Sequence, residues 1–262
     1  MRVLFVGDVF GKAGRRILKE KLQGLLAEEH IDFCVANAEN AAGGFGLTPP
    51  LVEELLALGI DLLTSGNHVW DKQAILPYMD QQPRLLRPQN YPNSVPGRGT
   101  FVGTTRCGVP VGVLNLQGRV YMPAIDCPFR VGEAAVQQMR RQAEIILVDF
   151  HAEATSEKQA FAWYMDGRVT AVVGTHTHVQ TADERILPRG TAYITDLGMT
   201  GPYDSVIGSI PDFALERFIR QIPVRLEPAS ANPRLCGAIL DIDEATGKAN
   251  SIRRLNVGGA VQ

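Results

Sequence analysis

The chain has 262 residues, of which 45% are hydrophobic and 21% charged, with a formal net charge of -2. That is long enough for a core without disulfides or structural metals, and too near neutral for a broadly basic nucleic-acid or membrane surface, although a small local basic patch remains compatible with it. Cys34, Cys107, Cys127 and Cys236 form no C-x-x-C pair and suit reduced thiols better than a zinc knuckle or disulfide framework. The apolar run before Asp8 is too short for a signal peptide or membrane helix, so a cytoplasmic protein with no membrane partner is expected, as one domain over 1–262.

Val3–Val6 reads as a buried strand ending at Gly7. Gly14–His30 puts Ile17, Leu18, Leu22, Leu25 and Leu26 on one helical face, and Ile31–Ala36 is a second strand. Thr48-Pro49 supplies an N-cap and a first-turn proline to a helix with Leu51, Leu55, Leu56 and Leu58 on its face, stopped by Gly59. With Ile60–Leu63 as third strand, this β-α-β-α-β opening implies a parallel sheet. Thr100–Thr104 and Val109–Asn115 read as turn-linked strands, Val131–Gln142 as a helix and Ile145–Val148 as a buried strand. Ser156 and Gln159 form a capping box for a helix reaching Met165, followed by a strand over Val169–Val173. A helix near Phe213–Gln221 precedes a terminal hairpin, Cys236–Asp243 and Ser251–Val257.

The polar residues after these strands form a pattern. Gly7-Asp8 follows the first strand, Asn37-Ala38-Glu39-Asn40 the second and Ser65-Gly66-Asn67-His68 the third. Asp149-Phe150-His151-Ala152-Glu153 and Gly174-Thr175-His176-Thr177-His178 follow two later ones. Ligands of open α/β sheets bind outside the carboxyl ends of strands, so these segments should converge. Each also has an ordinary reading: Asp8 as a turn or cap residue, Asn37, Asn40 and Gly66-Asn67 as turn residues, His151 as a half-buried histidine. His176 and His178 are two apart, which in an extended chain points both to one face. His30 stands outside the pattern, at a helix end where it favours the dipole. One donor set repeated at five strand ends outweighs the separate explanations.

Carboxylate, amide oxygen and imidazole without thiolate suit manganese, iron or zinc. Seven such ligands exceed what one transition-metal site normally takes. Two ions sharing Glu39, about 3.5–4 Å apart as in two-metal hydrolases, account for the number. The glycine-rich stretch from Gly7 to Gly14 matches neither a dinucleotide fingerprint nor a P-loop, because Val9 and Val6 stand where glycines are required. A Gly-x-Ser-x-Gly nucleophile elbow is also missing.

Gly7-Asp8, Gly66-Asn67-His68, His151 and Gly174-Thr175-His176-Thr177-His178 resemble the blocks of calcineurin-like metallophosphoesterases. The chain is more closely similar to their YmdB-type bacterial phosphodiesterase branch, through 38–42, 67–72, 115–119, 151–158 and 198–204. Phe10 replaces the histidine, and Glu39 the bridging aspartate, of the broader superfamily, and the branch shares both changes.

The resemblance implies an α/β fold, a four-layer α/β/β/α sandwich of two mixed β-sheets face to face with helices outside. It implies one metal on Asp8, Glu39, Asn40 and His178, with Asn40 replacing the ligand lost at Phe10. The second metal would take Glu39, Asn67, His151 and His176. Two divalent or trivalent transition-metal ions are expected, iron or manganese favoured and zinc admissible. The implied reaction opens nucleoside 2′,3′-cyclic phosphates to 3′-phosphates by attack of a metal-bridging hydroxide, with His68 as general acid. Expected partners are a small-molecule phosphodiester or cyclic nucleotide, RNA 3′ ends, and further copies of the chain in a homo-oligomer. The alternatives are a phosphomonoesterase or general phosphodiesterase, or a metal-stabilised regulatory RNA- or protein-binding module. Arg119 is open between a phosphate contact and a surface salt bridge, and Gly198–Gly208 between a mobile active-site wall and an ordinary loop.

Overall fold

The computed structural model describes residues 1–258. The first part of the chain runs β1 (Arg2–Val6), β2 (Asp8–Val9), α1 (Gly11–Glu28), β3 (Phe33–Asn37), α2 (Pro49–Ala57), β4 (Leu62–Thr64) and the short α3 (Leu76–Met79). Next come β5 (Thr100–Thr104), β6 (Pro110–Gln117), α4 (Pro128–Met139), β7 (Ile145–His151), α5 (Thr155–Met165) and β8 (Ala171–Thr175). The last part holds β9 (Arg185–Ile186), β10 (Ala192–Ile194), β11 (Met199–Pro202), α6 (Pro211–Arg220), β12 (Pro233–Ile242) and β13 (Ala249–Gly258).

One sheet has the order β2-β11-β12-β1-β3-β4, with β13 also on β12, and the other β5-β6-β7-β8-β10-β9. Both are mixed. The expected parallel opening is present as β1-β3-β4, while β12 joins β1 antiparallel. In the second sheet β6, β7, β8 and β10 are parallel and β5 is antiparallel.

Side-chain alternation makes the layers. In β1, Val3 and Phe5 pack into a core shared with Val113 and Leu147 of the second sheet. Leu4 and Val6, pointing the other way, pack on Ile17, Leu18 and Leu22 of α1 and Leu55 of α2. In β7, Ile145 and Leu147 face the first sheet, whereas Ile146, Val148 and Phe150 face Val136 of α4 and Phe161 of α5. Strands apolar on both faces therefore build a helix-sheet-sheet-helix sandwich, as expected.

Several local expectations change. Thr48 caps α2 in position but makes no side-chain cap bond, and Pro49 and Pro50 occupy its first helical positions without N–H groups. The Ser156 capping box does not form, because α5 begins at Thr155 with Ala154 as N-cap. His30 lies beyond the last turn of α1, at φ 50°. The stretch after Gly198 is no mobile wall at its start, since buried β11 occupies it and pairs with β2. Among the described residues, no helix is long and apolar enough to cross a membrane.

Candidate metal centre

The parallel strands β1, β3, β4, β7 and β8 end on one side of the sandwich, and the seven proposed ligands lie at or just beyond their ends. His151 is the last residue of β7 and is fully buried. Its Nε2 lies 3.1 Å from Glu39 Oε1, 3.2 Å from Asn67 Oδ1 and 3.0 Å from His176 Nδ1. Glu39, His151 and His176 offer ligand atoms all within 4.8 Å of one another, an arrangement that would hold a cation. On the other side of Glu39, Asn40 Nδ2 is 3.2 Å from Glu39 Oε1 and 3.1 Å from His178 Nε2. His178 Nε2 is in turn 3.8 Å from Asp8 Oδ1.

Two buried oxygens in this group, Asp8 Oδ1 and Asn40 Oδ1, have no hydrogen-bond partner. Buried polar atoms are costly when unsatisfied, and a cation among them would satisfy both at once. The donor chemistry and the orphaned oxygens thus fit a metal ion, with Glu39 Oε1 within reach of both His151 and Asn40.

The charges tell the same story. Burial pushes the Asp8 carboxyl up to about 6 against the pull of His178 and His151. Burial would raise Glu39 as well, but His151 and His68 outweigh it and hold Glu39 down to about 2. Burial would lower His151, yet Glu39, Asp8 and Asp149 lift it to about 9. His176, penalised by burial and by the His151 charge, falls to about 3. Glu39 and His151 therefore pair as carboxylate and imidazolium. A coordinated cation would take the place of that proton, because imidazole ligates only through an unprotonated nitrogen.

Beneath the donors a buried polar layer sets the His151 ring. Thr175 Oγ1 donates to Asp149 Oδ1 at 2.7 Å and lies 2.9 Å from His151 Nδ1. With its proton committed to Asp149, Thr175 accepts from Nδ1–H, which leaves Nε2 for the cluster. Thr64 Oγ1 and Asn37 Nδ2 also donate to Asp149. Burial pushes that carboxyl above the usual range, opposed first by the Thr64 bond. A second buried pair, Lys158 Nζ to Asp196 Oδ2 at 2.7 Å, anchors the histidine loop, for Asp196 also accepts from Thr177 Oγ1 and the Gly198 N–H.

His176 and His178 both reach the cluster, but not on the extended chain that their spacing suggested. Strand β8 ends at Thr175, and the two residues take φ 99° and 65°. Non-glycine residues in this left-handed region are uncommon and concentrate where surrounding structure over-determines them. Here the His176 N–H donates to Asp8 Oδ2 at 3.2 Å, and Ile207 O is 2.8 Å from His178 Nδ1. A sharp turn, not an extended strand, aims both rings inward. Phe10, at the position of the superfamily's lost histidine, stands edge-on to His178 with ring centroids 5.6 Å apart.

His68 sits at the rim, in the 3₁₀ turn Asn67–Asp71. Its backbone N–H donates to Glu39 Oε2 at 2.9 Å, and Nδ1 lies 2.8 Å from Asp71 Oδ2. Asp71 thereby engages Nδ1, and His68 is one of the residues that line the cavity. Sequence reasoning missed Asp71, three residues after His68, and Glu153, whose Oε2 is 3.1 Å from His176 Nε2. Glu153 sits two residues beyond His151, a strand-end position that was the available signal. Arg119 does not line this cavity, and its backbone N–H donates to Glu157.

Gly66 lies directly against the His151 ring. A Cβ there would lie 2.1 Å from His151 Nε2, so the residue is glycine for space. Gly66→Ala is expected to cost about 1–3 kcal/mol by overpacking and to deplete bound metal, read by thermal melting and elemental analysis. Full metal content with wild-type melting would show that the ring has room to move.

Paired sheets with outer helices and a carboxylate, amide and imidazole cluster at the strand ends define a metallophosphoesterase-type protein. The model of the YmdB-like protein family matches residues 4–255, and the chain belongs to that family. It is 48% identical to a Bacillus subtilis protein named 2′,3′-cyclic-nucleotide 2′-phosphodiesterase, over 97% of this chain and 96% of that protein. A crystal structure of a hypothetical protein from Thermus thermophilus superposes with a TM-score of 0.92 at 38% identity, covering 98% of this chain and 99% of the other. A Mycoplasma pneumoniae structure described as a novel phosphatase also gives 0.92, at 36% identity and 98% and 93% coverage.

Proposed function

We propose that the chain is a dinuclear metal-dependent phosphodiesterase that hydrolyses nucleoside 2′,3′-cyclic phosphates to 3′-phosphates. The observation that carries this reading is the buried donor cluster with its two orphaned oxygens, Asp8 Oδ1 and Asn40 Oδ1, opening beside His68. The name of the Bacillus subtilis relative supports the substrate. One ion would be held by Asp8, Glu39, Asn40 and His178, the other by Glu39, Asn67, His151 and His176, with iron or manganese ahead of zinc. When bound, the ions supply Lewis-acid neutralisation of phosphate charge and lower the pKa of water.

The chain's own residues do the rest. Water adds across the P–O2′ bond: its oxygen joins phosphorus, P–O2′ breaks, O2′ departs with a proton from His68 Nε2, and the proton given up by the water returns through solvent to His68. Asp71 holds the His68 ring, the His68 backbone N–H holds Glu39 Oε2, and Asp149 with Thr175 holds the His151 ring. The five-membered ester is strained, and its leaving oxygen stays tethered beside the acid.

Chromatography of the products tests the assignment. Adenosine 2′,3′-cyclic phosphate should give the 3′-phosphate, and 3′,5′-cyclic adenosine phosphate should react more slowly. Product that is solely 2′-phosphate would reverse the leaving oxygen. The neighbour described as a phosphatase favours phosphomonoester hydrolysis as the second reading, to be preferred if the 3′-phosphate is itself the better substrate.

A further inference from the structure

A cavity of about 430 Å³ is walled by Glu39, Asn40, His176 and His178 with His68 at its side, room for one nucleotide. A second, of about 520 Å³, adjoins it, and Phe45, Arg217 and Leu226 line both. The wall of the second carries three cations, Lys72, Arg217 and Arg225, against one acid, Glu227. None of the three cations has an ion-pair or side-chain hydrogen-bond partner among the described residues. Lys72 directly follows the turn that carries His68, and Arg217 projects from α6, so the cations are tied to the rim of the metal centre. Phe45 stands between the two spaces, 38% exposed, its ring centroid 5.0 Å from that of His68.

A nucleoside 2′,3′-cyclic phosphate has one anionic group, which belongs at the metals, and a neutral 5′ hydroxyl. It offers nothing to Lys72 and Arg225, which line only the second cavity. An additional phosphate would, and an exposed aromatic ring between the two spaces is a platform on which a base stacks. We propose that the second cavity is a subsite for a phosphate attached on the 5′ side of the reacting nucleotide, as in an RNA chain whose 3′ end is a 2′,3′-cyclic phosphate. The proposal rests on the cyclic-phosphodiester reading above. It locates the local basic patch that a net charge of -2 left open.

The test compares kcat/KM of the metal-loaded full chain on three substrates. They are adenosine 2′,3′-cyclic phosphate, its 5′-phosphorylated form, and a trinucleotide ending in a 2′,3′-cyclic phosphate. The trinucleotide should exceed the nucleoside by at least about tenfold, with an advantage that shrinks as salt rises. In the double variant Lys72→Ala/Arg225→Ala the ratio of the two should fall towards one. A gain shared by the 5′-phosphorylated nucleoside identifies a terminal phosphate as sufficient, and a gain confined to the trinucleotide identifies the RNA chain. No gain with either, while the nucleoside is hydrolysed, overturns the subsite alone. A ratio unchanged in the double variant also overturns it. Turnover of a nitrophenyl phosphodiester but of no cyclic phosphate overturns the subsite and the reading it rests on together.

Discussion

Replacing His68 with alanine is expected to slow 2′,3′-cyclic nucleotide hydrolysis by on the order of 10²–10⁴, the usual worth of general acid catalysis. A ribose oxygen is a poor leaving group and needs its proton as the bond to phosphorus breaks. Nitrophenolate departs as an anion, so a nitrophenyl phosphodiester should lose far less. Metal content should be nearly unchanged, because His68 meets Glu39 through its backbone N–H, which alanine keeps. Asp71→Asn should fall between wild type and His68→Ala, since it removes only the carboxylate that orients the ring. Equal slowing on both substrates with metals intact would make His68 a phosphate-positioning residue. Loss of a metal would make it a ligand.

Glu39→Gln should do the opposite and damage both substrates alike, by more than about 10³, as expected when a group acting within a catalytic unit is removed. Glu39 is fully buried and touches both sides of the cluster, with His151 on one side and Asn40 on the other. An amide of the same shape keeps the packing but loses the charge that would offset two cations. Elemental analysis should find both metals depleted in Glu39→Gln, and mainly one in Asp8→Ala. A single chelator-resistant zinc in the wild type would point to a structural site and end the bridging model.

Much of the architecture was legible because it is written in short-range patterns. Val3 to Val6 is apolar without a break, which marks β1 as a buried strand, whereas the sheet over Val3 and Phe5 and the helices over Leu4 and Val6 were expected only from the family resemblance. Donor types are local too: Asp8, Glu39, Asn67, His151 and His176 each follow a strand, and parallel strands end together, so their meeting could be expected before any coordinates. The Ser156 capping box misled for a related reason. Its spacing is right, but Glu157 accepts from the Arg119 and Val120 N–H groups, and with Ala154 as N-cap the helix begins two residues earlier than the pattern asks.

What only the tertiary structure decided is how the donors are aimed and supported. The spacing of His176 and His178 suggests an extended chain, yet both turn inward at positive φ, over-determined by contacts to Asp8 and to Ile207. Glu153 under His176, the Asp149–Thr175 support of His151 and the Lys158–Asp196 anchor involve partners tens of residues apart or ambiguous in isolation. Likewise no local pattern singles out Arg217 and Arg225, which α6 and the segment after it bring to one cavity with Lys72 and Phe45. By itself, the sequence determined the buried strands, their parallel opening and the kinds of atom that would gather at the strand ends, because periodicity and residue chemistry act over a few neighbouring positions. Orientation and electrostatic environment depend on which distant segments the closed sandwich brings within about 4 Å, where Coulomb energies and hydrogen bonds become decisive.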